Sequence, residues 1–265
     1  MSLVKIDVDA DNVLSRQFTE LERKNLPFAI VQAVNATAFA MREEWKKQAR
    51  RVFDRPTPMT INSILYTKAT ASRPYATVFI RDEAHKGTPP AKYLLPQVEG
   101  TVRRHKGMER LLQRNGLMPL DRYAVPGKGA QLDQYGNVTS GVVRKIISQT
   151  RSAPDAGYTS NETDEGRDRR LKRERGLKHK KRGQVSSFFV LSKRRGRLRP
   201  GIYERTTTNF GSALRSIFIF VHTPRYEPRF DIFAYAQRTW DKLMPFYFNR
   251  ELAKALESSK YRGRP

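Results

Sequence analysis

PFAIVQAVNATAFAMREEWKKQARRV, residues Pro27 to Val52, is the stretch on which the fold class turns. Val31, Val34, Ala38, Met41, Trp45, Ala49 and Val52 recur at three- and four-residue intervals, the spacing of a helix with one apolar face. Pro27 suits the first turn of that helix, where an amide donor has no partner to lose. At Arg55-Pro56-Thr57-Pro58 the helix must stop, because two prolines remove donors and push the preceding residues into extended backbone. A stripe of this kind also suits a coiled-coil seam, but in a chain with strand-like segments it reads first as a face packed on a sheet.

Upstream, Val4, Ile6 and Val8 alternate with Lys5, Asp7 and Asp9, the period of an edge strand. Asp11 or Asn12 then caps a short helix through Leu14, Phe18 and Leu21, ended by Lys24 and Asn25. Downstream, Ile61–Lys68 and Tyr75–Arg81 read as an antiparallel pair of strands. Short helices follow around Tyr93–Val98 and Arg103–Asn115, the second closed by Gly116. Met118 to Val138 carries Pro-Gly, Gly-x-Gly and Gly-Asn punctuation and reads as an ordered, irregular arm. After a brief helix at Val142–Ser148, nothing between Thr150 and Gly183 has an apolar period that would bury it. Ser187–Leu191, Gly201–Arg205 and Ala213–His222 are strand-like and able to complete one sheet with the earlier pair. The run Ile217-Phe218-Ile219-Phe220-Val221 fits a central strand. A last helix, Arg229 to Ser258, is expected to kink at Pro245.

The pattern predicts an α+β fold: a long N-terminal helix and a C-terminal helix packed on a mostly antiparallel sheet, with long irregular arms and a basic loop. Residues 1–149 and 185–265 form the two parts of one domain, and residues 150–184 a polar, then basic, loop or insertion. No window approaches a membrane span, which predicts a soluble chain without a membrane partner. There is no Cys, hence neither disulfide nor thiolate ligand.

Net charge is +25, far beyond what solubility requires, so the excess speaks of partners. Fifteen Lys or Arg against two acids lie between Arg167 and Arg199, about half of that excess. They are Arg167, Arg169, Arg170, Lys172, Arg173, Arg175, Lys178, Lys180, Lys181, Arg182, Lys193, Arg194, Arg195, Arg197 and Arg199. Such density has the chemistry of counterion release on a phosphate backbone and carries no base code. The alternative is a solvated loop that meets acidic faces of neighbouring subunits. Aromatic residues for stacking on single-stranded bases are missing from the first part of the run.

Motifs of catalysis are absent: no Walker loop, no zincin helix, no serine elbow. His85, His105, His179 and His222 are scattered too widely to share a metal. Glu43 with Glu44, Asp82 with Glu83, and Glu162 with Asp164 and Glu165 read as solvated charges, although paired carboxylates also hold divalent metals. Gly127-Lys128-Gly129 is the nearest approach to a phosphate-cradling loop and lacks the flanking strand and helix. No enzyme activity, metal or cofactor is expected. Trp240, Phe246, Tyr247 and Phe248 cluster near the expected kink and suit a hydrophobic core face or a subunit interface.

Four segments together resemble the basic phage proteins of the minor tail protein Z type, and more loosely the tail-completion and head-tail joining (neck) proteins. They are LPFAIVQAVNATAFAMREEWKKQARRVFDRPTPMTINSI, KGTPPAKYLLPQVEGTVRRHKGMERLLQRNGLMP, VPGKGAQLDQYGNVTSG and PRYEPRFDIFAYAQRTW. The resemblance implies a structural virion protein of a tailed phage, assembled in the host cytoplasm. It would form part of the head-tail connector or complete the tail, as a homo-oligomeric ring around the DNA channel. Its partners would be itself, other neck, portal or tail proteins, and genomic double-stranded DNA held by non-specific phosphate contact. The alternative reading is a non-specific nucleic-acid-binding protein acting through Arg167–Arg199. On either view the basic run is separable from the fold, and deletion of Arg167–Arg182 is expected to leave a folded protein.

Overall fold

The computed structural model describes residues 20–85, 87–154, 161–177, 183–222 and 226–262. The fold is α+β, with a long helix toward each end and two antiparallel sheets. The chain forms two compact units, one of residues 1–101 and 226–265, the other of residues 102–225. The second unit is thus inserted between two halves of the first, rather than parting from a single domain at 149 and 184.

The first unit is built on α1 (Glu20–Val52) and α7 (Ile232–Arg262). Ala29, Ala33, Val34, Ala38, Met41, Trp45 and Ala49 of α1 are all buried, in a core shared with Met244, Phe248 and Leu252 of α7. Alanines along this seam let the two backbones approach, and Trp45, fully buried, fills the space they leave. Helical backbone already runs from Glu20, so no break occurs at Lys24 and Asn25 and Pro27 lies inside the helix. One donor is lost there, and the long buried seam outweighs it. Pro245 is likewise internal to α7.

After α1, Arg55 takes a left-handed φ of 45°, and Thr57 caps the single turn α2 (Pro58–Asn62) by accepting from the Thr60 amide at 3.2 Å. β1 (Ile64–Thr67) and β2 (Thr77–Ile80) then pair antiparallel, Ile64 opposite Ile80. Ile64, Val78 and Ile80 join the α1 core. Asn35 pins the far end of β1: its amide oxygen accepts from the Ala69 amide at 2.7 Å, and its amide nitrogen donates to the Ala69 carbonyl at 3.1 Å. These strands form a sheet of their own and do not join the later ones. Four residues each, they bury their apolar side on α1. α3 (Pro90–Glu99) ends at Gly100, φ 69°, whose amide donates to Pro96. A Cβ at Gly100 would lie 2.8 Å from Pro228 Cδ. The Arg229 and Phe230 amides both donate to the Gln97 carbonyl, so the chain returns beside the point where it left.

The second unit contains α4 (Gly107–Arg114), β3 (Tyr123–Pro126), α5 (Ser140–Gln149), α6 (Asp164–Gly176), β4 (Gln184–Leu191), β5 (Gly201–Thr208) and β6 (Gly211–Val221). Its sheet runs β3-β6-β5-β4, antiparallel throughout. β6 is internal, as its apolar run requires. Met108 and Leu112 of α4, Ile146 of α5, and Ala124, Phe188, Ile202, Ile217, Phe218 and Phe220 of the sheet make one core. Ile202 pairs with Phe218 and Tyr203 with Ser216, so Ile217 is an extra residue in the ladder. This bulge lets the neighbours Ile217 and Phe218 share a core that strict alternation would divide.

The arm from Met118 to Val138 contains a strand, β3, that follows Pro119 and ends on Pro126. The stretch from Thr150 to Gly183 is not a featureless loop, because thirteen of its residues form α6. The N-terminal strand and capped helix expected before Glu20 lie outside the described residues.

Candidate nucleic-acid interface

Lys193, Arg194, Arg195, Arg197 and Arg199 occupy the turn between β4 and β5. The turn is tight: Arg195 and Leu198 exchange backbone hydrogen bonds at 3.1 and 3.0 Å, and Gly196 supplies the φ of 58° that the reversal needs. Arg194 Nε donates to the Gly196 carbonyl at 3.1 Å, and the Tyr203 hydroxyl to the Arg199 carbonyl at 2.8 Å. All five cations are exposed. No acid occurs from Ser192 to Pro200, and none of the five is in an ion pair among the described residues.

α6 carries the other basic cluster. Thr163 caps it by accepting from the Gly166 amide at 3.1 Å, Asp164 and Glu165 lie in its first turn, and Arg173 and Arg175 in its last, each sign matching the end of the helix dipole. It has no apolar stripe and is held at its edges. Arg170 makes a two-pronged ion pair with Glu162, Nε to Oε1 and Nη2 to Oε2, both 2.8 Å. The Thr207 hydroxyl donates to Glu174 Oε1 at 2.7 Å, and Leu177, just past the helix, is buried. Arg170 is therefore committed to the fold, and its guanidinium holds Glu162 below the usual carboxylate range. Arg167, Arg169, Lys172, Arg173 and Arg175 are exposed, and Arg169, Lys172 and Arg173 share one helical face. Lys178, Lys180, Lys181 and Arg182 lie outside the described residues.

The structure divides the basic run between a helix and a turn. α6 is tied at the end of the β4-β5 ladder where Gln184 faces Thr208, and the turn lies where Leu191 faces Gly201. From Thr207, which holds Glu174 of α6, to Gly201 at the turn, the strand runs roughly 20 Å at about 3.4 Å per residue.

Other sequence candidates have structural explanations. Gly127 and Gly129 are not a phosphate cradle: their amides donate to the Ile217 and Ser216 carbonyls at 2.9 and 3.0 Å, extending the β3-β6 contact. A Cβ at Gly127 would lie 2.5 Å from the Ser216 carbonyl oxygen, which is why glycine stands there. Of the four clustered aromatics, Phe248 is a core residue (1% exposed), Trp240 and Tyr247 are partly buried against the same core, and Phe246 is 58% exposed. Arg250 lies over the rings of Phe246 and Tyr247, 5.9 and 4.7 Å from their centroids. Glu43 pairs with Arg42 and Lys46, and Asp164 with Arg151. Among the described residues no group of three His, Asp or Glu is placed to hold a metal ion, and no helix is long and apolar enough to cross a membrane.

One polar centre escaped the sequence reading. Glu109 is fully buried in the second unit. Its carboxylate accepts from both terminal nitrogens of Arg103, from the Lys106 amide at 2.6 Å and from the Ala124 amide at 2.7 Å, joining α4 to β3. Burial alone pushes its pKa up, but the Arg103 guanidinium and the two amides prevail and hold it below the ordinary value. His105 stacks on Tyr123 at 4.2 Å, and Arg103 lies over the same ring. Each of the two carboxylate oxygens thus accepts two hydrogen bonds from the fold and has no lone pair left for a ligand. The spacing Lys106-x-x-Glu109, a side chain reaching back to an N-cap amide, was the available signal.

Comparison of the chain with protein-family models, with curated proteins and with solved structures finds no match.

Proposed function

We propose that this chain is a structural protein of a tailed-phage virion, part of the head-tail connector or the tail-completing assembly, and that it meets DNA phosphates through the β4-β5 turn. The observation that carries the DNA contact is that turn itself: five exposed cations on a rigid two-stranded support, with no acid among them. A rigid, unneutralised cluster releases counterions from a phosphate backbone without first breaking its own ion pairs. The virion assignment rests on the resemblance of four segments in their order along the chain, and on the absence of catalytic motifs.

The test exchanges Lys193, Arg194, Arg195, Arg197 and Arg199 for Ser and measures binding to a short duplex across salt concentrations. With about 0.9 of slope lost per phosphate contact, the log–log salt dependence should flatten by roughly 4.5 if all five make contact. An unchanged slope would remove the turn from the interface. A second reading, a nucleic-acid-binding protein outside any particle, is favoured by the exposed Arg169, Lys172 and Arg173 face of α6, whose chemistry is the same. Immunogold labelling of purified particles separates the two, since only the first puts the chain at the head-tail junction.

A further inference from the structure

β6 is longer than the strand beside it. β3 pairs with it only from Phe218 to Val221, and the Gly127 and Gly129 amides extend that contact to Ile217 and Ser216. Among the described residues no strand pairs with Gly211–Leu214 on that side, while β5 pairs with them on the other. These residues are the outer arm of the β5-β6 hairpin. Phe210 at its tip is 93% exposed, Leu214 is 45% exposed, and Ser212 and Ala213 between them are exposed too.

Proteins blunt such an edge with Lys, Pro or a bulge, because an open row of backbone donors and acceptors recruits another strand. This chain has 51 Lys and Arg and places none there: no charged residue stands between Arg205 and Arg215. The two flanking arginines are engaged, Arg205 over the Phe189 ring at 5.4 Å and Arg215 on Glu204 at 2.8 Å.

The missing charges point to the partner. An acidic partner would be met by cations, which the chain has in surplus. A second copy brings the same +25 and is repelled wherever those charges lie. A neutral strand edge ending in an exposed phenyl ring is where two like-charged copies meet with least opposition. We propose that residues 210–214 are a self-association edge, β6 of one copy pairing antiparallel with β6 of a second and Phe210 being covered in the contact. This shares with the reading above only the expectation that copies assemble.

The chain has no Cys, so single thiols report cleanly. Ser212→Cys, Ala213→Cys and Leu214→Cys are oxidised separately; opposed Cα atoms in an antiparallel pair lie about 4.5–5.5 Å apart, within disulfide reach. At least one should give a covalent dimer, while Arg195→Cys in the other hairpin should not. Sedimentation of the unaltered chain should show dimers or larger species, tightening about tenfold as salt rises and screens the repulsion. DNA binding moves the opposite way with salt, so either idea can fail alone. Phe210→Asp with Leu214→Lys should be monomeric at an unchanged thermal midpoint. The proposal is overturned if the unaltered chain stays monomeric at high concentration and high salt, or if none of the three edge cysteines oxidises faster than Arg195→Cys. Should the double variant fail to fold, the cysteine comparison still decides.

Discussion

Replacing Glu109 by Gln keeps its shape and takes the acid from the mostly buried Arg103 guanidinium. A broken buried pair of this kind costs about 3 kcal/mol or more, read as a lower urea midpoint by circular dichroism. The pH dependence follows from the sign of the shift. The folded pKa is depressed relative to an unfolded value of about 4.3, so the contribution of Glu109 is complete above that value and is lost as pH falls through the folded one. An acid series from about pH 5 down to about pH 2 should therefore show a steeper loss of stability in the unaltered chain than in Glu109→Gln. The aromatic cluster offers a second contrast between neighbours. Phe248→Ala empties a filled core position and should cost about 3–5 kcal/mol, whereas Phe246→Ala, at a mostly exposed ring, should stay within about 0.5 kcal/mol.

Among the elements, α6 separates charge from attachment. Arg169, Lys172 and Arg173 on its exposed face should be replaceable by Gln with a change in stability under about 0.5 kcal/mol. Leu177→Ala should cost about 2–3 kcal/mol, because Leu177 is the buried side chain that seats the end of the helix. Thermal melts of both variants test this, and they bear on the deletion of Arg167–Arg182: it removes Leu177 and the partners of Glu162 and Thr207, so it takes away packing as well as charge. Legibility varied with how much of each element's cause is local. The α1 stripe, the β1-β2 pair and the apolar run of β6 carry their own periods and were readable. β3 has four residues, the last of them Pro126, and its strand character comes from pairing with β6 across nearly 100 residues. α6 has no apolar stripe at all, so its capping Thr163 and dipole-matched charges were the sole local signals. The cations of the turn could be read from sequence, but the separation of the turn from the anchor of α6 at Thr207 is set by the β4-β5 register, which no single residue announces.

For the whole molecule, the inserted arrangement yields its own prediction. The Gln97 carbonyl receives the Arg229 and Phe230 amides, so the two ends of the insertion are already side by side within the first unit. A chain with about four Gly or Ser residues joining Thr101 to Tyr226 should fold, since a unit with its own core needs little else. Both tryptophans, Trp45 and Trp240, belong to this unit, so emission at the wavelength of the unaltered protein is the readout. A red-shifted spectrum would show that residues 102–225 are needed to complete it.

The same arrangement fixes an order of events during synthesis. α1 leaves the ribosome early, yet its partner α7 is among the last segments made. At about 5–20 residues per second, roughly 10–40 s pass between them. Until α7 emerges, the seam of Ala29, Val34, Met41 and Trp45 lacks Met244, Phe248 and Leu252 and can rest only on early-made neighbours such as Ile64, Val78 and Ile80, whereas every strand of the second unit has been made before α7 begins. The unit begun first is thus finished last, and until α7 arrives part of the apolar face of α1 stays in contact with water.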